Sequence, residues 1–232
     1  MTDAKQSYLG AKNGSGVFQA IINLMPPHDT YIEAFLGTGA IIRRKAPALE
    51  NIGIEINPCV IDKFNHAAAD LNLSMNIINA NAIHWLKTFT PTSKTVIYLD
   101  PPYVHSTRTS NARYKNELTD ADHAELLTVV KHLAVLKGVF IIISGYRNHL
   151  YDTELADWYS KDFQAMTRGG VRTETVWCSF HPGDQHYHSF AGKDFTDRQR
   201  IKRKAARWAK NFEALPAAER QAVMAALLAI DN

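Results

Sequence analysis

The chain has 232 residues, enough for one domain with a sizeable core and a small appendage. Its 46% hydrophobic and 21% charged content excludes a disordered chain, and no apolar run approaches the roughly 20 residues of a membrane span. The net charge of +3 is unevenly spread: Lys193 to Lys210 holds eight Lys/Arg and two Asp, a local +6 that leaves about −3 elsewhere.

The first 16 residues hold no apolar signal core, and the two cysteines, Cys59 and Cys178, make no disulfide framework. A cytoplasmic, reduced setting without a membrane partner is expected.

Tyr8 to Gly16 is a glycine-rich loop carrying Lys12, followed by a helical pattern to about Met25 that Pro26-Pro27 ends. Thr30 to Phe35 reads as a strand running into Gly37-Thr38-Gly39, with a short helix starting near Ala40. Asn51 to Ile56 is a second strand, and Asn57-Pro58 opens a helix to about Asp70. Met75–Asn79, then Asn81–Phe89, read as strand and helix.

Thr95 to Leu99 is the fourth strand. It stops at Asp100-Pro101-Pro102-Tyr103, where proline cannot donate to a ladder and the residue before it is held out of the α region. Val104 to Asn116 is a polar, basic loop without an apolar period. Thr119 to Asp122 caps a helix to about Leu136, and Gly138 precedes a strand over Val139–Ser144. Asn148–Tyr159 reads as helix, and Phe163–Thr167 with Glu174–Phe180 as a hairpin around Gly169-Gly170. The alternation of strands and helices predicts an α/β doubly wound sheet. Phe195–Lys210 is a basic helix and Pro216–Ile230 an amphipathic one, so the chain divides into residues 1–194 and a helical appendage, residues 195–232.

Two features carry chemistry. The first is the Gly37-Thr38-Gly39 turn with Glu55 at the end of the following strand, where an acid accepts hydrogen bonds from ribose hydroxyls. The third glycine of a dinucleotide fingerprint is missing, and a tight turn beside an exposed acid is the alternative.

The second is the tetrapeptide at Asp100. The amino group of adenine is a poor nucleophile because its lone pair is delocalised into the ring. The Asp100 carboxylate and the Pro101 carbonyl can hold both amino hydrogens and favour the attacking form. Tyr103 offers a flat face to an extruded base. The alternative is a proline-rich turn with a buried tyrosine.

TYIEAFLGTGA, GIEINP and YLDPPY, in that order, resemble the motifs of amino-methylating nucleic-acid methyltransferases. With YLGAK, SGY at Ser144–Tyr146 and TETVW at Thr173–Trp177, the chain is similar to the Dam-like DNA adenine-N6 methyltransferases, in particular the compact phage and prophage type. The resemblance implies a Rossmann-like seven-stranded mixed sheet, S-adenosyl-L-methionine as methyl donor, and double-stranded DNA as substrate.

It implies cofactor contacts from Tyr8, Lys12, Glu33, Phe35, Gly37, Thr38, Gly39, Glu55, Ile56, Asn81, Ala82 and Asp100, and a catalytic motif at Asp100, Pro101, Pro102 and Tyr103. The chain departs from the family at Ala34, where proline is usual, and at Asn81, where aspartate is usual. Only 17 residues separate Ala82 from Asp100, where larger members insert a DNA-reading domain. Sequence reading then falls to residues 104–116, residues 179–194 or the tail.

Arg108, Arg113, Tyr114 and Lys115 beside the catalytic turn suit a DNA backbone and a displaced base; a solvated loop is the alternative. Arg198, Arg200, Lys202, Arg203, Lys204, Arg207 and Lys210 suit phosphate contacts, against a plain solvated helix. Cys178, His181, His186 and His188 follow no strong zinc spacing, so no metal is expected, and His66, His123 and His132 read as ordinary helix residues. Trp158, Trp177 and Phe180 read as core. Cytosine-N4 methylation, RNA methylation and a binding protein without catalysis are the rival readings.

Overall fold

The computed structural model describes residues 17–69, 74–104, 117–167, 170–183, 192 and 194–228. The chain divides into two compact units, Met1–Tyr187 and His188–Asn232.

The first unit is built on a seven-stranded sheet in the order β3-β2-β1-β4-β5-β7-β6. Its strands are β1 Thr30–Ala34, β2 Glu50–Glu55, β3 Asn76–Asn79, β4 Thr95–Leu99, β5 Val139–Gly145, β6 Tyr159–Thr167 and β7 Gly170–Cys178. The first five are parallel, and β7 runs antiparallel to both β5 and β6. This is the mixed sheet that the resemblance implies. The strand order reverses between β1 and β4, where Ala34 pairs with Leu99, so the segments that leave those two strands emerge side by side.

Helices α1 (Val17–Leu24), α2 (Pro58–Ala68), α3 (Ala82–Thr88), α4 (Asp120–Ala134) and α5 (His149–Glu154) surround the sheet. On one face Leu86, Leu126, Val130 and Leu155 pack with Ile97, Ile141, Ile143 and Trp177. The alternate strand positions point to the other face and include Tyr31, Glu33, Tyr98, Ser144 and Glu174, all buried. Polar side chains are therefore gathered on one side of the sheet. The expected caps are present. Thr119 and Asp122 form a reciprocal capping box on α4, and Asn57 caps α2 ahead of Pro58.

Several boundaries differ from the sequence reading. β1 ends at Ala34, because Phe35 takes a left-handed backbone (φ 61°). No regular helix starts near Ala40; Arg43 and Lys45 donate four residues back to Gly39 and Ile41 within a run of turns. α5 covers only His149–Glu154, since Leu155 leaves helical geometry and Tyr159 already belongs to β6. The hairpin strands are nine residues each and pair from Tyr159↔Cys178 to Thr167↔Gly170, well beyond the short strands expected.

The second unit consists of α6 (Phe195–Glu213) and α7 (Ala217–Leu228), with α6 capped by Asp194 accepting from the Asp197 N–H. No residue of α6 is buried, and Phe195 and Trp208 are exposed.

Candidate active site

Two carboxylates hold the turn that leaves β1. Glu33, one residue before the end of β1, accepts from the Ile42 N–H at 2.7 Å and the Tyr31 hydroxyl at 3.1 Å through Oε2. Burial pushes the Glu33 carboxyl up to about 8; those hydrogen bonds oppose the shift, and the nearby Asp100 charge adds to it. Lys45, also buried, sits over the Tyr31 ring at 4.4 Å, and its ammonium is pushed down to about 8 by desolvation. Glu33 thus serves the backbone of the turn.

Glu55 bridges two loops: Oε2 accepts from the Gly37 N–H and Oε1 from the Asn57 N–H, each at 3.0 Å. A carboxylate has about four acceptor positions, so these bonds leave capacity for ribose hydroxyls. Between the acids the chain alternates through left-handed backbone at Phe35 (φ 61°), Gly37 (52°) and Gly39 (60°). For a phenylalanine that conformation costs on the order of 1–2 kcal/mol. At Gly39 a side chain is also excluded sterically, because a Cβ there would run into the Phe64 ring of α2.

Ile56, next to Glu55, is 44% exposed, an open apolar surface at the strand end. Asn79 ties that end down, donating to the carbonyls of Glu55 (2.9 Å) and Ile56 (3.0 Å). Asn81 caps α3 by accepting from the His84 N–H at 3.1 Å, and Ala82 beside it is buried. A carboxylate, a turn with close backbone approach, an exposed apolar residue and an amide line the ends of β1 to β3. That donor and acceptor set fits the ribose and base of S-adenosylmethionine.

Asp100 emerges beside this turn. Ser144, buried one residue before the end of β5, contacts the Tyr98 hydroxyl at 2.9 Å, the Leu99 carbonyl at 3.3 Å and Asp100 Oδ1 at 2.9 Å. One hydroxyl carries one proton, and the carboxylate is the stronger acceptor, so the chain runs Tyr98 O–H to Ser144 O–H to Asp100. Pro101 is buried and Pro102 half-buried, and the half-buried Tyr103 donates its hydroxyl to Glu174 Oε1 at 3.2 Å. The Tyr103 ring rests on that of Tyr146, centroids 4.3 Å apart, and the Arg172 guanidinium lies 5.8 Å from the Tyr146 ring centre. Behind the site Tyr151 pairs with His123 Nδ1 at 3.0 Å; burial first, then Asp100, raises its hydroxyl pKa.

Glu33, Phe35, Gly37, Thr38, Gly39, Glu55, Ile56, Asn81, Ala82 and Asp100–Tyr103 therefore all lie at or beside the carboxyl edge of the sheet. Tyr8, Lys12, Arg108, Arg113, Tyr114 and Lys115 lie outside the described residues. The basic residues Arg198 to Lys210 lie on α6, in the second unit. Cys178 is buried, its thiol pushed up to about 12 by desolvation, and His181 packs against Tyr159. The sequence reading missed Ser144, Tyr146, Glu174 and Asn79 as neighbours of the site. The SGY and TETVW segments mark the first three, but only the strand pairing shows what they touch.

The sheet order, with its antiparallel seventh strand and acid-ended β2, is that of the S-adenosylmethionine-dependent methyltransferases. Within that class residues 56–173, just over half of the chain, match the family model of D12 class N6 adenine-specific DNA methyltransferases. The chain belongs to that family: it is an S-adenosylmethionine-dependent enzyme whose substrate is DNA.

No curated protein matches the chain. Solved structures are matched at low identity. A precorrin 8W decarboxylase of Methanobacterium thermoautotrophicum is 13% identical over 73% of this chain and 90% of that one (TM-score 0.48). An rRNA methylase of Streptococcus thermophilus is 11% identical over 69% and 91% (TM-score 0.46). The magnesium protoporphyrin IX methyltransferase of Synechocystis PCC 6803, solved with bound SAM, is 14% identical over 69% and 73% (TM-score 0.42).

Proposed function

We propose that this chain is a compact, Dam-like enzyme of the phage and prophage type, acting in the cytoplasm on adenines flipped out of double-stranded DNA. The observation that carries the reading is Asp100, held by Ser144 at the point where the strand order reverses, beside the Glu33–Glu55 turn.

When bound, S-adenosylmethionine supplies an activated sulfonium methyl group. Glu55 takes the ribose hydroxyls, Ile56 and Asn81-Ala82 the adenine, and Phe35, Gly37, Thr38 and Gly39 the methionine part, with Glu33 bracing the turn beneath. Tyr8 and Lys12 add further contacts to the cofactor. The target base stacks on Tyr103. The Asp100 carboxylate and the Pro101 carbonyl each accept one hydrogen of its amino group, which draws the nitrogen lone pair out of conjugation and makes it available to the activated methyl group that S-adenosylmethionine would supply. Pro101 and Pro102 fix both acceptors beforehand, so little reorganisation is needed during reaction. Ser144 occupies one lone pair of Oδ1 and thereby sets the orientation of the carboxylate. The surplus proton leaves to solvent after transfer.

Arg108, Arg113, Tyr114 and Lys115 hold the DNA near the flipped base. The appendage of residues 195–232 supplies Arg198, Arg200, Lys202, Arg203, Lys204 and Arg207 to phosphates, which adds affinity without base readout. Wild-type protein is incubated with unmethylated DNA and S-adenosylmethionine, and the DNA is digested to nucleosides. N6-methyladenosine in its deoxy form is expected. N4-methyldeoxycytidine in its place, or methylation of RNA alone, overturns the reading.

A further inference from the structure

The β6–β7 hairpin is longer than the sheet it belongs to. Pairing of β7 with β5 ends at Gly145↔Thr175, but pairing with β6 continues for five more pairs, Phe163↔Glu174 through Thr167↔Gly170. At about 3.4 Å per residue the extension is about 17 Å long.

The direction of the extension follows from the topology. β7 is antiparallel to β5, so its first residues stand beyond the carboxyl ends of β4 and β5, the edge that carries Asp100. Free two-stranded ribbons are marginal in water. This one is rooted in the sheet and touches the catalytic turn, through Tyr103 on Glu174 and Arg172 over the Tyr146 ring.

The other face of the ribbon carries a different pair. Gln164 and Thr173 are directly opposite, both exposed, and joined by a bond from Gln164 Nε2 to Thr173 Oγ1 at 3.0 Å. That bond uses one amide N–H and fixes the side chain. The carbonyl oxygen and second N–H of Gln164 remain as bonding capacity, the set with which glutamine recognises adenine N6 and N7. A major groove about 12 Å wide and 8.5 Å deep admits a two-stranded ribbon, so the projection is long enough to reach base edges.

We propose that the β6–β7 ribbon, through the Gln164–Thr173 pair, reads double-stranded DNA in the major groove beside the target adenine. This rests on the reading of the chain as an adenine methyltransferase that flips its base at Asp100–Tyr103. It supplies a reading element to a chain whose 17 residues between Ala82 and Asp100 leave no space for a separate domain. Gly170 stands four residues beyond Glu174, about 14 Å, so the ribbon covers roughly four base-pair rises on one side of the target.

The test compares wild type with Gln164→Ala/Thr173→Ala on unmethylated genomic DNA, mapping every N6-methyladenine and measuring kcat and KM for DNA and for S-adenosylmethionine. Both substituted side chains are exposed, and an unchanged thermal midpoint confirms folding. The expected result is a fall in kcat/KM for DNA of at least about fivefold, with KM for S-adenosylmethionine unchanged and base preference relaxed within about four base pairs on one side of the target. An active variant with the wild-type methylation map and a kcat/KM within about twofold overturns the ribbon proposal alone. A wild type that methylates no adenine overturns the reading beneath it as well.

Discussion

The turn between β1 and β2 and the helix α6 are opposite kinds of binding surface. In the turn two carboxylates are buried, three consecutive alternate residues have left-handed backbone, and each acid is bonded to backbone N–H groups. In α6 no residue is buried, and the basic side chains stand on an exposed helix. The turn works by enforced position and α6 by charge density. Single changes should therefore be severe in the first and graded in the second.

Gly39→Ala is the sharpest way to break the contrast. It places a side chain at φ 60° and drives it into Phe64. A loss of about 1–3 kcal/mol of stability is expected, with cofactor affinity reduced at least tenfold, measured by denaturant titration and calorimetry.

A smaller effect is expected from Lys202→Ala/Arg203→Ala/Lys204→Ala in α6. At about 0.15 M salt the KM for DNA should rise about tenfold, while kcat at saturating DNA is kept. The slope of log affinity against log salt should become shallower by up to about three, one phosphate contact per removed charge. A lowered kcat with an unchanged slope would place α6 with the turn instead.

The remaining effect concerns pH. The Glu33 carboxyl lies at about 8 in the fold against an ordinary value near 4.5, so the folded protein holds a proton that the unfolded chain releases between those values. Stability from this group is complete below about 4.5 and declines as pH rises through about 8. Glu33→Gln, permanently neutral, should flatten that decline. Its melting temperature should fall less than that of the wild type between pH 5 and 8, at roughly 2–4 °C for each kcal/mol, by thermal melts across that range.

The two regions were also legible to different degrees. The parallel strands were visible because Ile52, Ile54, Ile97 and Ile141 are apolar in short runs, and the acid and glycine positions followed from the strand ends. The left-handed Phe35 was not visible, because nothing in a phenylalanine announces a backbone that its neighbours force. The missing helix after Gly39 has a similar cause: Ile41 and Ile42 are apolar as a helix would be, yet they are buried in turns braced by Glu33.

The hairpin was read too short at opposite ends of its two strands: β7 lost Gly170–Thr173, which run beyond the sheet and have no core to face, and β6 lost its inner residues Tyr159–Asp162. Ser160, Lys161 and Asp162 on β6, and Arg172 and Thr173 on β7, lack the apolar alternation that marks a strand on a core. Ser144 and Glu174 escaped for a third reason: their partners Asp100 and Tyr103 are 44 and 71 residues away, a distance that only the strand order closes.

The most direct test of the account is Asp100→Ala, followed by single-turnover transfer of labelled methyl groups to unmethylated DNA and by calorimetric titration with S-adenosylmethionine. The account predicts transfer slowed by at least about a thousandfold, with the thermal midpoint retained and cofactor affinity within about tenfold of wild type. Transfer at the wild-type rate would contradict it.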